Sequence, residues 1–226
     1  MISHEHRCIF IHIPKCAGTS IESTLGHLEG HTGRGGQDHR TIRMIERPFP
    51  TPAIFSTGEN CYEALRRIRH RFRRVANYRN HFSVTKEQFD SYFKFTIVRN
   101  PWARAFSWYE NVMRDEIHMK TYGLTQRIGL KDFLRMHAGK GMLRPQTYWL
   151  RSFRGSMPLD LIGRFEDLPA TFRAVCESIN LPEASLPHRL KGGRTDYVRA
   201  YDQASRDLAW RIYREEIDLF GYAFES

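Results

Sequence analysis

Apolar residues run from Cys8 to Ile13, interrupted only by His12, the pattern of a strand buried on both faces of a parallel sheet. Pro14 lacks the N–H that a ladder needs and ends this strand. Beyond it, Gly18 carries no Cβ and lets the backbone pass close to a ligand. Thr19-Ser20-Ile21-Glu22 has the spacing of a capping box that opens a helix. Strand, tight loop and helix start aim several backbone N–H groups at one spot, with a helix dipole behind them, and Lys15 adds a positive charge. The pattern predicts a phosphate cradle. The plainer alternative is a strand-to-helix turn with a solvated lysine.

Further along, residues 26–40 are rich in Gly and His without any period and read as a loop. Thr41 to Glu46 predicts a short helix closed by Pro48, Pro50 and Pro52, and Ala53 to Ser56 a short strand. Residues 62–79 have a helical period, with Leu65, Ile68, Phe72 and Val75 on one stripe and Arg66, Arg67, Arg69, Arg71, Arg73 and Arg74 between them. Such a segment is a solvated basic face over a small apolar stripe, or a rail for an acidic substrate.

Lys94 to Val98 predicts a second strand, and Asn100-Pro101 places an N-cap and a first-turn proline directly after it. Trp102, Phe106, Tyr109 and Met113 then share a face. Leu130 to His137 reads as a helix, Leu159 to Phe165 as a third strand, and Asp167-Leu168-Pro169 as the start of a helix with Leu168, Phe172, Val175 and Ile179 inward. Pro187 to Thr195 is a basic loop, and a last helix runs from Gln203 to Leu219, stopped by Gly221. Strands alternating with helices, without repeats or a linker, predict one α/β domain over residues 1–226 with a central, mainly parallel sheet.

Composition adds a direction rather than a function. Lys and Arg number 35 against 25 Asp and Glu, a formal charge of +10, which favours an anionic partner. The four cysteines are too widely spaced for a zinc ribbon or a disulfide framework. No apolar stretch approaches the ~20 residues of a membrane span, and no signal-peptide pattern precedes Cys8. The expectation is a soluble cytoplasmic protein.

Two segments carry the candidate chemistry. The loop Pro14 to Ser20 is not the Walker sequence, because Lys15 precedes the glycine instead of following it. The second segment, Phe95 to Tyr109, places Arg99 at a strand end, where ligands of open α/β sheets bind, and Ser107 about two turns into the next helix. A guanidinium and a hydroxyl make a compact site for a terminal phosphate. Alternatively, Arg99 caps carbonyls and Ser107 packs.

Taken together, His12-Ile-Pro-Lys-Cys-Ala-Gly-Thr-Ser20 resembles the 5′-phosphosulfate loop of sulfotransferases that use 3′-phosphoadenosine 5′-phosphosulfate (PAPS). Val98-Arg-Asn-Pro-Trp-Ala-Arg-Ala-Phe-Ser107 resembles the 3′-phosphate segment of the same enzymes, in the version of the carbohydrate branch. Gly163-Arg-Phe-Glu-Asp-Leu168 and Glu216-Ile-Asp-Leu-Phe-Gly-Tyr222 extend the resemblance along nearly the whole chain. It implies a P-loop-like three-layer α/β sandwich and an enzyme that leaves PAP as product, while the absence of an apolar span departs from the Golgi members of the branch and suggests a soluble, bacterial-type enzyme. Lys15, Cys16, Ala17, Gly18, Thr19 and Ser20 would bind the 5′-phosphosulfate, with Lys15 stabilising the leaving oxygen, and Arg99 and Ser107 would hold the 3′-phosphate. Thr19 has two possible roles, cap and ligand contact. Lys191-Gly-Gly-Arg194 resembles, more loosely, the basic loop that covers the nucleotide.

Sulfuryl transfer to a hydroxyl needs positioning, charge stabilisation and a base. His39, in a His-x-Thr segment resembling the candidate base of the carbohydrate branch, is the expected base. Asp38, His27 and His31 are its rivals, and Asp38 is also a candidate to orient the imidazole. His12 reads as a structural residue at the strand end. No metal is expected, since His27 and His31 lack a ligand pattern. The resemblance implies a carbohydrate or glycolipid acceptor, which the basic surplus suits if it is acidic, and no nucleic acid. The competing readings are a nucleotide kinase or hydrolase on a related fold and a non-catalytic polyanion-binding protein built on the Arg-rich helix.

Overall fold

The computed structural model describes residues 1–182 and 196–224. Its centre is a four-stranded sheet in the order β1 (Ile2–Ser3), β2 (Cys8–Ile11), β3 (Phe93–Val98), β4 (Leu161–Arg164). β1 is antiparallel to β2, whereas β2, β3 and β4 are mutually parallel, with Phe10 opposite Phe95 and Thr96 opposite Ile162. All four residues of β2 are buried, as its unbroken apolar run requires. The Phe10 and Phe95 rings stack at 4.9 Å.

Eleven α-helices are described: α1 (Gly18–Thr24), α2 (Ile42–Ile45), α3 (Gly58–Phe72), α4 (Lys86–Ser91), α5 (Pro101–Met113), α6 (Glu116–Thr121), α7 (Leu130–His137), α8 (Gln146–Leu150), α9 (Leu168–Ser178), α10 (Asp196–Ala200) and α11 (Gln203–Phe220). The mixed α/β architecture, with helices flanking a mostly parallel sheet, is the predicted P-loop-like class. None of the described helices is long and apolar enough to cross a membrane.

The chain clusters into two compact units. The first holds Met1–Ile13, Ala17–Val98 and the chain from Tyr148 through α9, and therefore the whole sheet. The second holds Pro14–Cys16, Arg99–Thr147 and the chain from α10 onward. Its core joins Trp102, Val112 and Met113 of α5, Phe133 and Leu134 of α7, and Tyr213 and Ile217 of α11. Phe106 and Tyr109 pack against this core, so the α5 face read from the sequence is the buried one.

Several helix ends are where the residues predict them. The Asn100 side chain accepts hydrogen bonds from the Trp102 and Ala103 N–H groups at 3.1 and 3.3 Å, with Pro101 in the first turn. Gly221 closes α11 in the left-handed region, at φ 62°.

Three local expectations are corrected. Residues 52–56 form a 3-10 turn, not a strand, because the Thr51 hydroxyl accepts the Ala53 N–H at 3.1 Å and Pro52 starts the turn. α3 begins at Gly58, where Thr57 accepts the Asn60 N–H, and ends at Phe72, since Arg73 is extended. α3 also presents the opposite face to that expected. Asn60, Glu63 and Ala64 point inward, while Leu65, Ile68 and Phe72 are 56%, 49% and 81% exposed. The inward pull is polar: buried Glu63 takes hydrogen bonds from Thr41, Arg66 and Tyr148. Thirdly, the Thr19–Glu22 capping box does not form. Ala17 is the N-cap of α1, without a side-chain cap, and Glu22 is turned into the interior.

Candidate active site

Because β2 and β3 run parallel, the segments that follow them, carrying Lys15 and Arg99, both leave the carboxyl edge of the sheet. Lys15 and Ala17 have φ of 70° and 60°, a left-handed conformation that costs a non-glycine residue about 1–3 kcal/mol. Two such residues within three positions mark a loop shaped for something other than its own stability. The Ser20 and Ile21 N–H groups donate to the Ala17 carbonyl at 3.0 and 3.3 Å. Helical geometry then leaves the N–H groups of Gly18 and Thr19 at the start of α1 as free donors.

In the second unit, the Arg99 guanidinium donates to the Lys15 carbonyl at 3.1 Å, which fixes the lysine backbone beside the arginine. The arginine is itself clamped. Its N–H donates to Gln146 Oε1 and its carbonyl accepts from Gln146 Nε2, both at 2.8 Å. Cys16 Sγ donates to the same Oε1 at 3.5 Å. Gln146 is completely buried and tied to buried Glu216 through both its backbone N–H and its side chain. One glutamine thus sets the register of both loops. Lys15 is half-buried, and burial together with the nearby Arg99 and Arg114 charges pulls its pKa from the ordinary 10.5 to about 8. Cations crowded in this way favour an anion among them.

In the first unit, His12 Nδ1 donates to Glu22 Oε1 at 3.0 Å, and the same oxygen accepts the Asp38 N–H at 3.0 Å. Burial alone would raise the Glu22 carboxyl, but the His12 charge and hydrogen bond hold it below the usual range. The His39 ring lies 4.1 Å from that of His12 between centroids, with Nδ1 facing the His12 carbonyl oxygen at 3.2 Å. A carbonyl only accepts, so Nδ1 bears the proton and Nε2 presents a lone pair. Part of the His39 surface meets solvent, yet its ring sits deep among neighbouring atoms. This burial and the adjacent His12 bring its pKa down to about 3. His39 is therefore neutral at physiological pH and in the tautomer a base needs.

The other sequence candidates separate clearly. Asp38 is buried, bonded to Arg40 at 2.6 Å and 3.4 Å from the terminal ammonium, and these cations hold its carboxyl well below the usual range despite burial. It orients Arg40; the hydrogen-bond partner that orients His39 is the His12 carbonyl. His27 is buried with Nε2 on Asn80 at 2.8 Å. Ser20 is buried and Thr19 half-exposed in the first turn of α1. Ser107 is half-buried on α5, seven residues before Arg114 and hence on the same side of that helix. Arg104, in the same motif, is structural, fully buried with its guanidinium on the Met142 and Arg144 carbonyls.

Gly18 also has a reason within the fold itself. A Cβ there would stand 1.9 Å from His12 Cδ2, so the glycine accommodates the histidine. Gln146, Glu22 and Arg114 escaped the sequence reading: Glu22 carried a capping signal, and Gln146 lay in an unpatterned connection. The basic loop Lys191–Arg194 lies outside the described residues.

The model of the sulfotransferase family matches residues 1–223 of the chain. No curated protein and no solved structure matches it.

Proposed function

This chain belongs to the sulfotransferase family, and we propose that it moves the sulfuryl group of PAPS to a hydroxyl of a carbohydrate acceptor, leaving PAP. The observation that carries the donor assignment is the Lys15–Arg99 arrangement. A half-buried lysine, its carbonyl bonded to an arginine and its pKa drawn down to about 8, is a site that favours an anion. These residues fit a bisphosphorylated, sulfated nucleotide.

When bound, PAPS supplies an activated sulfuryl group on a phosphate leaving group. The Lys15 ammonium neutralises the charge that grows on the leaving oxygen, and the Gly18 and Thr19 N–H groups and the Thr19 and Ser20 hydroxyls donate to the same phosphate. Cys16 and Ala17 contribute their backbone to this loop, with the Cys16 thiol engaged by Gln146. Arg99 and Ser107 hold the 3′-phosphate, the group that separates this donor from ADP and ATP. Gln146 positions Arg99 by bonding both its N–H and its carbonyl.

His39 Nε2 takes the proton of the attacking acceptor hydroxyl as the new oxygen–sulfur bond forms and the bond to the phosphate oxygen breaks. The His12 carbonyl fixes the other ring nitrogen as the donor. Positioning and charge stabilisation supply most of the acceleration, as in phosphoryl transfer. The carbohydrate acceptor rests on resemblance to the carbohydrate branch, and the +10 surplus suits an acidic one.

The test is titration with PAP, ADP and ATP, followed by labelled PAPS offered with a panel of saccharides, glycolipids and tyrosyl peptides. Selective PAP binding and label on a saccharide hydroxyl are expected. A preference for ADP or ATP would instead favour a kinase or hydrolase.

A further inference from the structure

A second cationic site lies within the first unit and is lined by none of the residues assigned above to donor or base. A cleft of about 600 Å³ opens between α2, α3 and the 78–83 segment. Its cations are Arg40, Arg47, Arg67 and Arg71, with the His70 and His81 rings beside them, and no carboxylate stands among the described residues that line it. Its walls include Phe49, Ile68, Phe72 and Phe82.

Arg67, Arg47 and His81 are held by carbonyls and an aromatic ring, which bring no net negative charge. Arg67 donates to the Arg43 carbonyl at 2.9 Å and its guanidinium lies 4.1 Å from the centre of the Phe49 ring. Arg47 donates to the Val84 carbonyl at 2.8 Å. His81 Nε2 faces the Arg73 carbonyl at 3.0 Å, and its ring lies 5.3 Å from that of His70. Arg40 is the exception, paired with Asp38. Glu46 acts on Arg67 as a partial counter-charge, and its carboxylate also accepts the Phe153 N–H at 2.7 Å.

The crowding registers on the groups themselves. Burial and the neighbouring Arg47 and Arg40 bring Arg67 down to about 10, and burial with Arg40, His81 and Arg66 brings His70 down to about 4. Burial is the larger cause of the Arg67 shift and like charge the smaller, and an anion in the cleft would relieve the second.

The second observation is apolar. Ile68 and Phe72, on the rim, are 49% and 81% exposed, and they continue the outward stripe that begins with Leu65. Large apolar side chains at the mouth of a cationic cleft suit a ligand with a charged head and a hydrocarbon body.

We propose that this cleft binds an organic anion of amphiphilic form, a phosphate, sulfate or carboxylate head on an acyl or isoprenoid tail. The head sits among Arg47, Arg67 and Arg71, and the tail lies along Phe72, Ile68 and Phe49. The site stands apart from the sulfuryl-transfer reading.

Calorimetric titration of the full chain with octyl phosphate, inorganic phosphate, octanol and phosphatidylcholine vesicles doped with phosphatidylserine tests it. Octyl phosphate is expected to bind one to one, more tightly than phosphate or octanol by at least about tenfold, and more weakly as salt rises. Exposed Arg71→Glu should weaken it about tenfold, as should Phe72→Ser through its lost apolar contact. Arg67→Gln, assayed after confirming an unchanged circular dichroism spectrum, should do the same. Equal affinity for inorganic phosphate, unchanged affinity in Arg71→Glu, or binding to vesicles alone would overturn the proposal, the last in favour of surface adsorption. PAP affinity, followed in the same variants, reports separately on the donor site.

Discussion

Gly18 and His12 compete for the same space. A β-carbon on Gly18 would lie 1.9 Å from His12 Cδ2 and 2.1 Å from Nε2. The histidine cannot easily move, because its Nδ1 is bonded to buried Glu22 and its ring packs between Phe10 and His39. Gly18→Ala should therefore lower stability by about 1–3 kcal/mol. In a His12→Ala background the same change should be neutral or stabilising, since alanine is the better helix former. Chemical denaturation of the four proteins of this cycle measures the coupling. An equal cost in both backgrounds would remove His12 as the reason for the glycine.

Lys15 must be charged to hold an anion, and its pKa of about 8 sits within easy experimental range. PAP affinity should thus be steady below pH 8 and fall as pH rises through it. Binding favours the protonated form, so by linkage the pKa in the complex is higher than in the free protein. Lys15→Arg, whose guanidinium stays charged, should abolish this decline even where overall affinity drops. Lys15→Ala should abolish turnover with the fold retained. Near wild-type transfer from PAPS in that variant would remove the lysine from the mechanism.

His39→Ala should reduce kcat by on the order of a hundredfold or more while leaving PAP affinity intact. Because the ring is already neutral above about pH 3, kcat/KM should show no His39 limb between pH 5 and 7. A limb near pH 6.5 that disappears in His39→Ala would contradict the burial-driven shift.

Gln146→Leu keeps the volume of the side chain and deletes its bonds. The Arg99 N–H and carbonyl and the Glu216 carboxylate then lose a buried partner, at a cost of about 1–3 kcal/mol for each group left unsatisfied. Loss of Arg99 register should weaken PAP binding about tenfold or more. Thermal unfolding and PAP titration check the two effects, and wild-type PAP affinity would show that Arg99 keeps its place without the glutamine.

The three parallel strands, the Asn100-Pro101 helix start and the Gly221 stop could all be read from the residues, as could the places of Lys15 and Arg99 directly after two of those strands. They depend on local rules: an unbroken apolar run, a cap, a proline without an N–H. What sequence could not supply was partnership over distance. Glu22 looked like half of a capping box until folding carried it to His12. Gln146 had no pattern at all, since its meaning lies in bonds to Arg99, Cys16 and Glu216. The α3 stripe has a helical period that fits burial or exposure equally well. Glu63, drawn inward by Thr41, Arg66 and Tyr148, decided which face met water. Local spacing determined which elements form and what charge they carry. Only tertiary structure decided which buried polar group each one had to satisfy, because an unpaired polar atom in the interior costs more than any propensity returns.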